Sequence, residues 1–288
     1  MMDKKIAFGY YGGKYSHLDW LLPLLPVNGI THYCEPFGGS AAVLLNRLPA
    51  PVETYNDLDG DLGVFFRVLR EDKDALLDAL ICTPFSRAEY ELSCVRDNAI
   101  SELERARRFY VRIAQGFGQI PDATPGRWGY TLLQSRSGMG GRVSSFYNRL
   151  DKLGIVAQRL LRVQIESQPA IQVIERYDHA ETLFYLDPPY TPDSCYLNYR
   201  FEMSLDEHRD LLRVIKQCKG KVAISGYDNP LYTSELKDWY WSKSAIHNIS
   251  IRPDIDECER QEILWTNYDP ATVQNDMTEL PLFAGLGD

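Results

Sequence analysis

The tetrapeptide Asp187-Pro188-Pro189-Tyr190 constrains the fold of this chain more than any other feature. It follows the apolar and aromatic run 182–186, which is typical of a buried strand. The two prolines fix φ and donate no N–H, so the chain cannot continue into a helix there. In open α/β sheets, ligands lie beyond the carboxyl ends of the strands. The tetrapeptide therefore indicates a ligand site at the edge of an α/β sheet.

The chemistry of this turn suits a planar ring that carries an amine. The carboxylate of Asp187 and the carbonyl of Pro188 can together accept both hydrogens of one amino group, and Tyr190 can stack on the ring. The alternative for the tetrapeptide alone is an ordinary strand end with a capping aspartate. The remaining motifs decide between the two interpretations.

A strand, a glycine-containing turn and a helix start are predicted near the amino terminus. The strand covers 31–34, the turn is Glu35-Pro36-Phe37-Gly38-Gly39-Ser40, and the helix begins in 41–46. This order is the cofactor-binding arrangement of nucleotide-type folds, in which glycines let the backbone approach a ligand closely. A second predicted strand, 52–55, ends at Asn56-Asp57, where a carboxylate can accept from ribose hydroxyls.

Charge is distributed unevenly along the chain. The whole sequence of 288 residues has a net charge of −9, yet residues 105–162 contain ten Arg and one Lys against two Asp, a net charge of +9. This pattern predicts a local phosphate-binding surface on an acidic enzyme, with a solvated Arg-rich helix face as the alternative. We predict helices over 60–81, 86–115 and 149–161, and irregular chain over 116–148.

Other features exclude several classes of protein. No run approaches the length of a membrane span, the amino terminus has no apolar signal core, and the six cysteines form no Cys-x-x-Cys pair. We therefore expect no membrane association, no metal site and a reducing cytoplasm. No cysteine follows a proline, which argues against C5-cytosine methylation through a Pro-Cys nucleophile.

The motifs, taken in order along the chain, resemble those of the Dam-type, S-adenosylmethionine-dependent DNA adenine N6-methyltransferases in their alpha arrangement. The motifs that carry the resemblance are Tyr10-Tyr11-Gly12-Gly13-Lys14, the turn 35–40, Asn56-Asp57, the basic region, Asp187-Pro188-Pro189-Tyr190, Ser225-Gly226-Tyr227 and Leu264-Trp265-Thr266-Asn267-Tyr268, which belongs to the strand predicted over 262–268 in a terminal hairpin. The resemblance covers nearly the whole chain. It implies an α/β fold, with a Rossmann-like methyltransferase sheet, helices on both faces and an inserted, mainly helical and loop target-recognition domain.

That resemblance also implies a division of the chain and roles for its residues. Residues 1–66 and 163–288 would form the S-adenosylmethionine-binding catalytic domain, and 67–162 the inserted basic DNA-binding region. Catalysis would rest on Asp187, Pro188, Pro189 and Tyr190. The cofactor would be bound by Tyr10, Gly12, Gly13, Lys14, Glu35, Pro36, Phe37, Gly38, Gly39, Ser40, Asp57, Ser167 and Asp187.

Within that set, Lys14 would hold the methionine carboxylate, and the turn 35–40 would wrap the methionine. Asp57 would bind the ribose, with a helix N-cap as its alternative. Pro169 stands where the family often has an acidic contact to the cofactor adenine. Ser167, Gln168 or backbone is expected to replace that contact.

The resemblance implies methylation of N6 on an adenine flipped out of double-stranded DNA. Phosphates and bases would be contacted by Arg112, Phe117, Arg127, Arg136 and Arg142. Phe117 lies in a stretch that resembles the family's DNA-intercalating turn, and a core position is equally compatible with it. The alternatives are an N4-cytosine methyltransferase, an RNA or protein-glutamine methyltransferase, and a catalytically inactive DNA-binding module.

Assembly and location are further expectations. We expect a monomer, active in the cytoplasm of a bacterial or phage-infected cell and associated with the nucleoid. The tail Glu279-Leu280-Pro281-Leu282-Phe283 is similar to short peptides that dock on bacterial sliding clamps. The alternative is that this tail packs on its own domain.

Overall fold

The computed structural model describes residues 4–119, 127–132, 135–136, 138–191, 202–248 and 260–273. Within these residues, seven strands form one mixed sheet in the order β5-β2-β1-β6-β7-β9-β8, and two short strands, β3 and β4, form a separate ribbon. The strands are β1 (His32–Glu35), β2 (Val52–Asn56), β3 (Ser135–Arg136), β4 (Met139–Gly140), β5 (Val163–Glu166), β6 (Thr182–Leu186), β7 (Lys221–Tyr227), β8 (Tyr240–Asn248) and β9 (Arg260–Thr266).

The pairing of the strands creates a point at which the strand order reverses. β1 pairs in parallel with β2 on one side and with β6 on the other, while β5 and β7 extend the parallel part outward. β9 runs antiparallel to both β7 and β8. The crevice beyond the carboxyl ends of β1 and β6 is therefore the expected ligand position. The predicted strands and the terminal hairpin are confirmed.

Alternating side chains of β6 pack into two different hydrophobic cores. Leu183 and Tyr185 join one buried cluster, whereas Phe184 and Leu186 join the other. All five residues of β6 are buried, as expected for a parallel strand covered on both faces. The sheet thus carries helices on both sides, which confirms the α/β Rossmann-like fold.

The helices of the described residues divide between these two cores. α8, α9 and α10 cover one face, whereas α1 to α4, α6 and α7 pack into the other cluster, and α5 packs against α6. The helices are α1 (Leu18–Leu21), α2 (Ala42–Asn46), α3 (Gly60–Glu71), α4 (Lys73–Ile81), α5 (Arg87–Cys94), α6 (Glu102–Gln115), α7 (Gly141–Leu160), α8 (Ala170–Tyr177), α9 (Leu205–Ile215) and α10 (Pro230–Glu235). None of the helices in this described part of the chain is long and apolar enough to cross a membrane.

Three predicted helices differ from the observed ones. The stretch 60–81 is broken at Asp72, whose φ of −140° and ψ of 54° are not helical, and 86–115 is broken into α5 and α6. α7 begins at Gly141, eight residues before the predicted start at 149. Its first turn is rich in glycine and serine, which resembles a loop, but Phe146 and Leu150 are buried against the core and hold this turn in the helix.

The region 67–162 shares the core of the sheet. Rings of Phe65 in α3 and Phe109 in α6 lie 5.5 Å apart, and Tyr110 of α6 lies 5.7 Å from Phe146 of α7. The predicted boundary between residues 66 and 67 falls inside α3. The division into a catalytic domain and an inserted region stays a prediction.

Candidate active site

A cavity of about 260 Å³ lies at the carboxyl ends of β1, β2 and β6. Asp187 and Pro189 reach it from the end of β6. The predicted cofactor residues that line it are Tyr10, Gly12, Gly13, Lys14, Glu35, Pro36, Phe37, Gly38, Gly39, Ser40, Asp57 and Asp187. Motifs from four separate parts of the sequence therefore meet at one edge of the sheet.

The turn between β1 and α2 is fixed by the end of β2. Gly38 donates its N–H to the carbonyl of Asn56 at 2.8 Å, and the Asn56 amide donates to the carbonyl of Pro36 at 2.8 Å. A Cβ on Gly38 would lie 2.1 Å from the ring of Tyr55, so only glycine fits there. Gly39 has a φ of +47°, in the left-handed region that favours glycine. Both glycines are thus required by the shape of the cavity wall.

Asp57 orients two backbone segments of this wall. Its Oδ2 accepts from the N–H of Gly39 at 2.9 Å, and its Oδ1 accepts from the N–H of Asp59 at 2.8 Å. The N-cap of α3 is Asp59, so the helix-cap alternative for Asp57 is wrong. Burial raises the pKa of Asp57 to about 6, although the two N–H donors lower it.

Glu35 brings a second buried carboxyl group to the cavity. It accepts a hydrogen bond from the hydroxyl of Tyr33 at 2.6 Å. Burial raises the pKa of Glu35 to about 8, and this hydrogen bond and the N–H of Leu44 lower it only in part. Glu35 is therefore largely protonated at neutral pH when the cavity holds no ligand.

Lys14 lies at the centre of a buried ionic cluster. Its Nζ is 2.6 Å from Oδ1 of Asp187, 3.2 Å from Oε1 of Glu262 and 3.4 Å from the hydroxyl of Tyr190. Burial by itself would lower the pKa of Lys14, but the two carboxylates raise it well above its ordinary value. Lys14 is therefore a permanent cation at the cavity wall. Glu262 was not predicted as a site residue.

Asp187 presents one oxygen to the cluster. Oδ1 accepts from Lys14 and from the hydroxyl of Ser225, the latter at 3.2 Å. Oδ2 makes no hydrogen bond to any of the residues that the structure describes, and Asp187 lines the cavity. Burial raises the pKa of Asp187 and Glu262 raises it further, while Lys14 opposes the shift. Asp187 thus combines a fixed position with an acceptor that remains for a ligand.

Tyr190 is buried behind this carboxylate. Its ring stacks on Tyr227, with centroids 4.2 Å apart and planes inclined by 16°, and its hydroxyl donates to Oε2 of Glu262 at 3.3 Å. Pro188 and Tyr190 border a second cavity, of about 10 Å³, next to Tyr227. A base that stacks on Tyr190 must use the ring face opposite Tyr227, or displace Tyr227.

Ser167 does not line the cavity. Its side chain is exposed and donates to the carbonyl of Asp57 at 3.0 Å, and its role as a cofactor contact stays a prediction. Gln168 does line the cavity, and its N–H donates to Oδ1 of Asn56 at 2.9 Å. Of the two side chains predicted to replace the missing acidic residue, Gln168 is the one that lines the cavity.

Arg112 is not available to DNA. Its side chain is 3% exposed, with Nη1 donating to the carbonyl of Ser93 at 2.9 Å and Nη2 to Asp61 at 3.2 Å. Its prediction as a DNA contact is therefore corrected: α6 turns this arginine into the interior, where it joins α5 to the start of α3. Nothing in the spacing of the arginines along the chain distinguished it from an exposed one.

Phe117 lies at the surface, directly after α6. It is 64% exposed, which rules out the core alternative, and the next residue, Gly118, has a φ of +79°. The guanidinium of Arg142 lies 5.4 Å from the Phe117 ring and donates to the carbonyl of Gly116 at 3.3 Å. Arg142 thus supports the turn that presents Phe117.

Two further predicted DNA contacts are Arg127 and Arg136. Arg127 is half-buried, next to Trp128, which forms a bridge with Gly116. Arg136 is in β3, and the structure describes only its backbone. The tail segment 279–283 lies outside the described residues.

Several arginines of residues 105–162 form ion pairs with acidic residues that lie outside this range. Arg105 and Arg112 pair with Asp61, and Arg159 pairs with Glu53. Arg107 and Arg108 pair with Glu104, and Arg107 also with Glu89. The net charge of +9 therefore overstates the positive field at the surface.

The sheet order and the cavity at its switch point define the class of this protein, an α/β Rossmann-like methyltransferase. A family model of D12 class N6 adenine-specific DNA methyltransferases matches residues 10–252, and the chain belongs to that family. The type II methyltransferase M.MjaIII of Methanocaldococcus jannaschii is 25% identical over 302 residues, which cover 93% of this chain and 100% of the relative. The chain is thus an adenine-specific DNA methyltransferase, and the N4-cytosine alternative is set aside.

Proposed function

We propose that this methyltransferase uses S-adenosylmethionine to methylate N6 of an adenine that is flipped out of double-stranded DNA at a specific site. The observation that carries the proposal is Asp187. Its carboxylate is held by Lys14 and Ser225 through one oxygen, while the other oxygen has no partner among the described residues. An acceptor held in this way at a cavity wall suits an amine donor.

The residues at the cavity fit S-adenosylmethionine. The ammonium of Lys14 and the carboxyl of Glu35 are complementary to the carboxylate and amine of an amino acid. The carboxylate of Asp57 suits ribose hydroxyls, and the glycine turn allows close approach of the backbone. Gln168 and Phe37 supply an amide and a ring for the adenine part. When bound, the cofactor supplies a methyl group on a sulfonium.

The chain's own residues would prepare the amine for transfer. Asp187 Oδ2 and the carbonyl of Pro188 accept its two hydrogens, which favours a tetrahedral nitrogen and frees the lone pair. Pro189 keeps the turn rigid, and Tyr190 supplies a ring face for the base. The bound cofactor would supply the methyl group to the nitrogen and keep the electrons of the bond that breaks, and one amine proton would leave to Asp187 or water.

The exposed turn of the basic region would contact the DNA. The exposed Phe117 would fill the gap left by the flipped base, supported by Arg142 beside its ring. Arg127 and Arg136 remain proposed phosphate or base contacts. We further propose a monomer that acts with the nucleoid in the cytoplasm of a bacterial or phage-infected cell, and a sliding-clamp contact through 279–283. Clamp capture that survives deletion of residues 277–288 would contradict the last of these.

The first test is long-read sequencing of plasmid DNA from cells that express the protein, scored for N6-methyladenine and N4-methylcytosine. We expect methyladenine in one short motif with the unmodified chain, and none with Asp187→Asn. Asp238→Asn, an exposed aspartate between α10 and β8, is the matched control and should leave methylation intact. Methylation that persists in Asp187→Asn would refute the role given to Asp187.

A catalytically inactive DNA-binding module would give no modification in any of these samples. Calorimetric titration with S-adenosylmethionine then separates the two cases, because an inactive module need not bind the cofactor. We expect a single binding site per chain. Loss of that binding in Asp57→Asn would support the cavity as its location.

A further inference from the structure

Glu262 brings a second carboxylate to the catalytic aspartate from the terminal hairpin. It lies in β9, ten residues beyond the end of the family match at residue 252. It is 0% exposed, its Oε1 is 3.2 Å from Nζ of Lys14, and its Oε2 accepts from the Tyr190 hydroxyl at 3.3 Å. Glu262 does not line the large cavity, so it contacts the site residues from behind.

The charges of this cluster do not balance. Lys14 is one basic group paired with two acidic ones, Asp187 and Glu262, so the formal charge of the cluster is −1. A buried ion pair needs only one carboxylate for each ammonium, and an additional buried charge is costly. Leu264, two residues along the same face of β9, packs in the hydrophobic cluster. A glutamate at this position is therefore unexpected if packing alone decides the residue.

We propose that Glu262 is a positioning residue of the methyl transfer. It shares the ammonium of Lys14 with Asp187, it holds the hydroxyl of Tyr190, and it keeps one excess negative charge beside the reacting amine. This role of Glu262 rests on the proposed function, because it depends on the role proposed for Asp187.

The excess charge matches what the reaction needs. As the nitrogen bonds to the methyl carbon and the carbon–sulfur electrons move to sulfur, positive charge passes to the nitrogen until a proton leaves. With Lys14 paired to Asp187 alone, the cluster would be neutral and Asp187 a weaker acceptor. The carboxylate of Glu262 adds negative potential at Asp187. This potential stabilises the positive charge that develops on the amine during methyl transfer.

Several other titratable groups surround Asp187 and influence its titration. They come from each element packed around it and are Lys14 and His17 of the segment before α1, Glu35 of β1, Tyr185 of β6, Tyr190, Tyr232 of α10 and Glu262 of β9. His17 has a pKa lowered to about 4 by burial and by Lys14, so it stays neutral above that pH. Among these groups, Glu262 is the carboxylate that shares the ammonium of Lys14 with Asp187.

A carbon-13 NMR titration of the carboxyl groups in the full, ligand-free protein tests the charge argument directly. Asp187→Asn identifies the Asp187 signal. In Glu262→Gln we expect the titration midpoint of Asp187 to move to lower pH, because a neighbouring negative charge has been removed. An unchanged midpoint overturns the proposal. This measurement does not require methylation, so its failure is distinct from failure of the proposed function.

Single-turnover methylation at a series of pH values tests the catalytic consequence. Glu262→Gln should slow the transfer at least tenfold and shift the acidic limb of the rate profile to lower pH, with DNA and cofactor affinities within about twofold of wild type. Glu235→Gln, an exposed glutamate of α10 paired with Lys216, is the matched control and should retain the wild-type rate.

Glu262→Asp separates charge from position. It keeps the carboxylate but shortens its reach to Lys14 and Tyr190, so we expect a slower transfer with an unshifted acidic limb. This variant also serves if Glu262→Gln does not fold. A wild-type rate in Glu262→Asp, or a loss of cofactor and DNA binding in both variants without any limb shift, would show a packing role and overturn the proposal.

Discussion

The edge of the sheet and the basic region use charged residues in opposite ways. At the edge, one cationic group, Lys14, pairs with two acidic ones, Asp187 and Glu262, and Lys14 and Asp187 line the cavity. In the basic region, arginines such as Arg105 and Arg108 are satisfied by nearby acids. A short motif at a strand end fixes where its side chains lie, because parallel strands bring their ends together. A charge count along the chain does not identify which charges face solvent.

The largest expected difference between the two regions concerns stability. Lys14→Gln would leave two buried carboxylates without their cation, so we expect a loss of about 3–5 kcal/mol in the free energy of unfolding. Arg67→Gln, which breaks an exposed pair with Glu102, should cost less than about 1 kcal/mol. Urea unfolding measures both. Equal losses of unfolding free energy in the two variants would show that the buried and the surface ion pairs stabilise the fold to the same extent.

Glu35 should make the stability of the edge depend on pH. Its pKa of about 8 in the folded protein exceeds its ordinary value of 4.5, so the folded state keeps a proton that the unfolded state releases. This contribution is fully present below pH 4.5 and is lost as the pH rises towards 8, by up to about 2 kcal/mol between pH 6 and pH 8. Glu35→Gln should flatten the urea-unfolding profile over this interval. A profile parallel to wild type would show that Glu35 is ionised in the folded state.

Cofactor affinity should report the ionisation of Asp57. Only its carboxylate form can accept from two ribose hydroxyls, and its pKa is raised to about 6. Affinity for S-adenosylmethionine should therefore fall as the pH drops below 6, by about tenfold at pH 5 relative to pH 7. Calorimetry at several pH values measures this dependence. Asp57→Asn should bind weakly and lose this dependence; an unchanged dependence would exclude Asp57 as its source.

The smallest effect concerns the arginines of the basic region. Arg127→Gln should weaken DNA binding and reduce the slope of log affinity against log salt by about 0.9, the value for one phosphate contact. Arg108→Gln, which removes a pair with Glu104, should leave this slope unchanged. Fluorescence anisotropy at several salt concentrations compares the two variants. A reduced slope in Arg108→Gln would mean that paired arginines also reach the DNA.

Local patterns in the sequence were sufficient for the sheet edge. A buried strand that ends in Asp187-Pro188-Pro189-Tyr190 and a glycine turn after β1 each depend on neighbours within a few residues. The rule for parallel strands then brought Asp57, Asp187 and the turn together, and the cavity confirms that they share one edge. The strand boundaries could be predicted for the same reason, because a short apolar run between turn residues allows few alternative strand limits.

Only the tertiary structure decided which polar side chains have partners. Arg112 turns inward because α6 packs on α3 and α5, and Glu262 reaches Lys14 because β9 adds to the sheet beside β7. A glutamate at the start of an apolar strand was a signal that a buried partner exists, but the sequence does not name a partner 248 positions away, as Lys14 is from Glu262. Burial and pairing arise from contacts between distant segments, and therefore no local pattern encodes them.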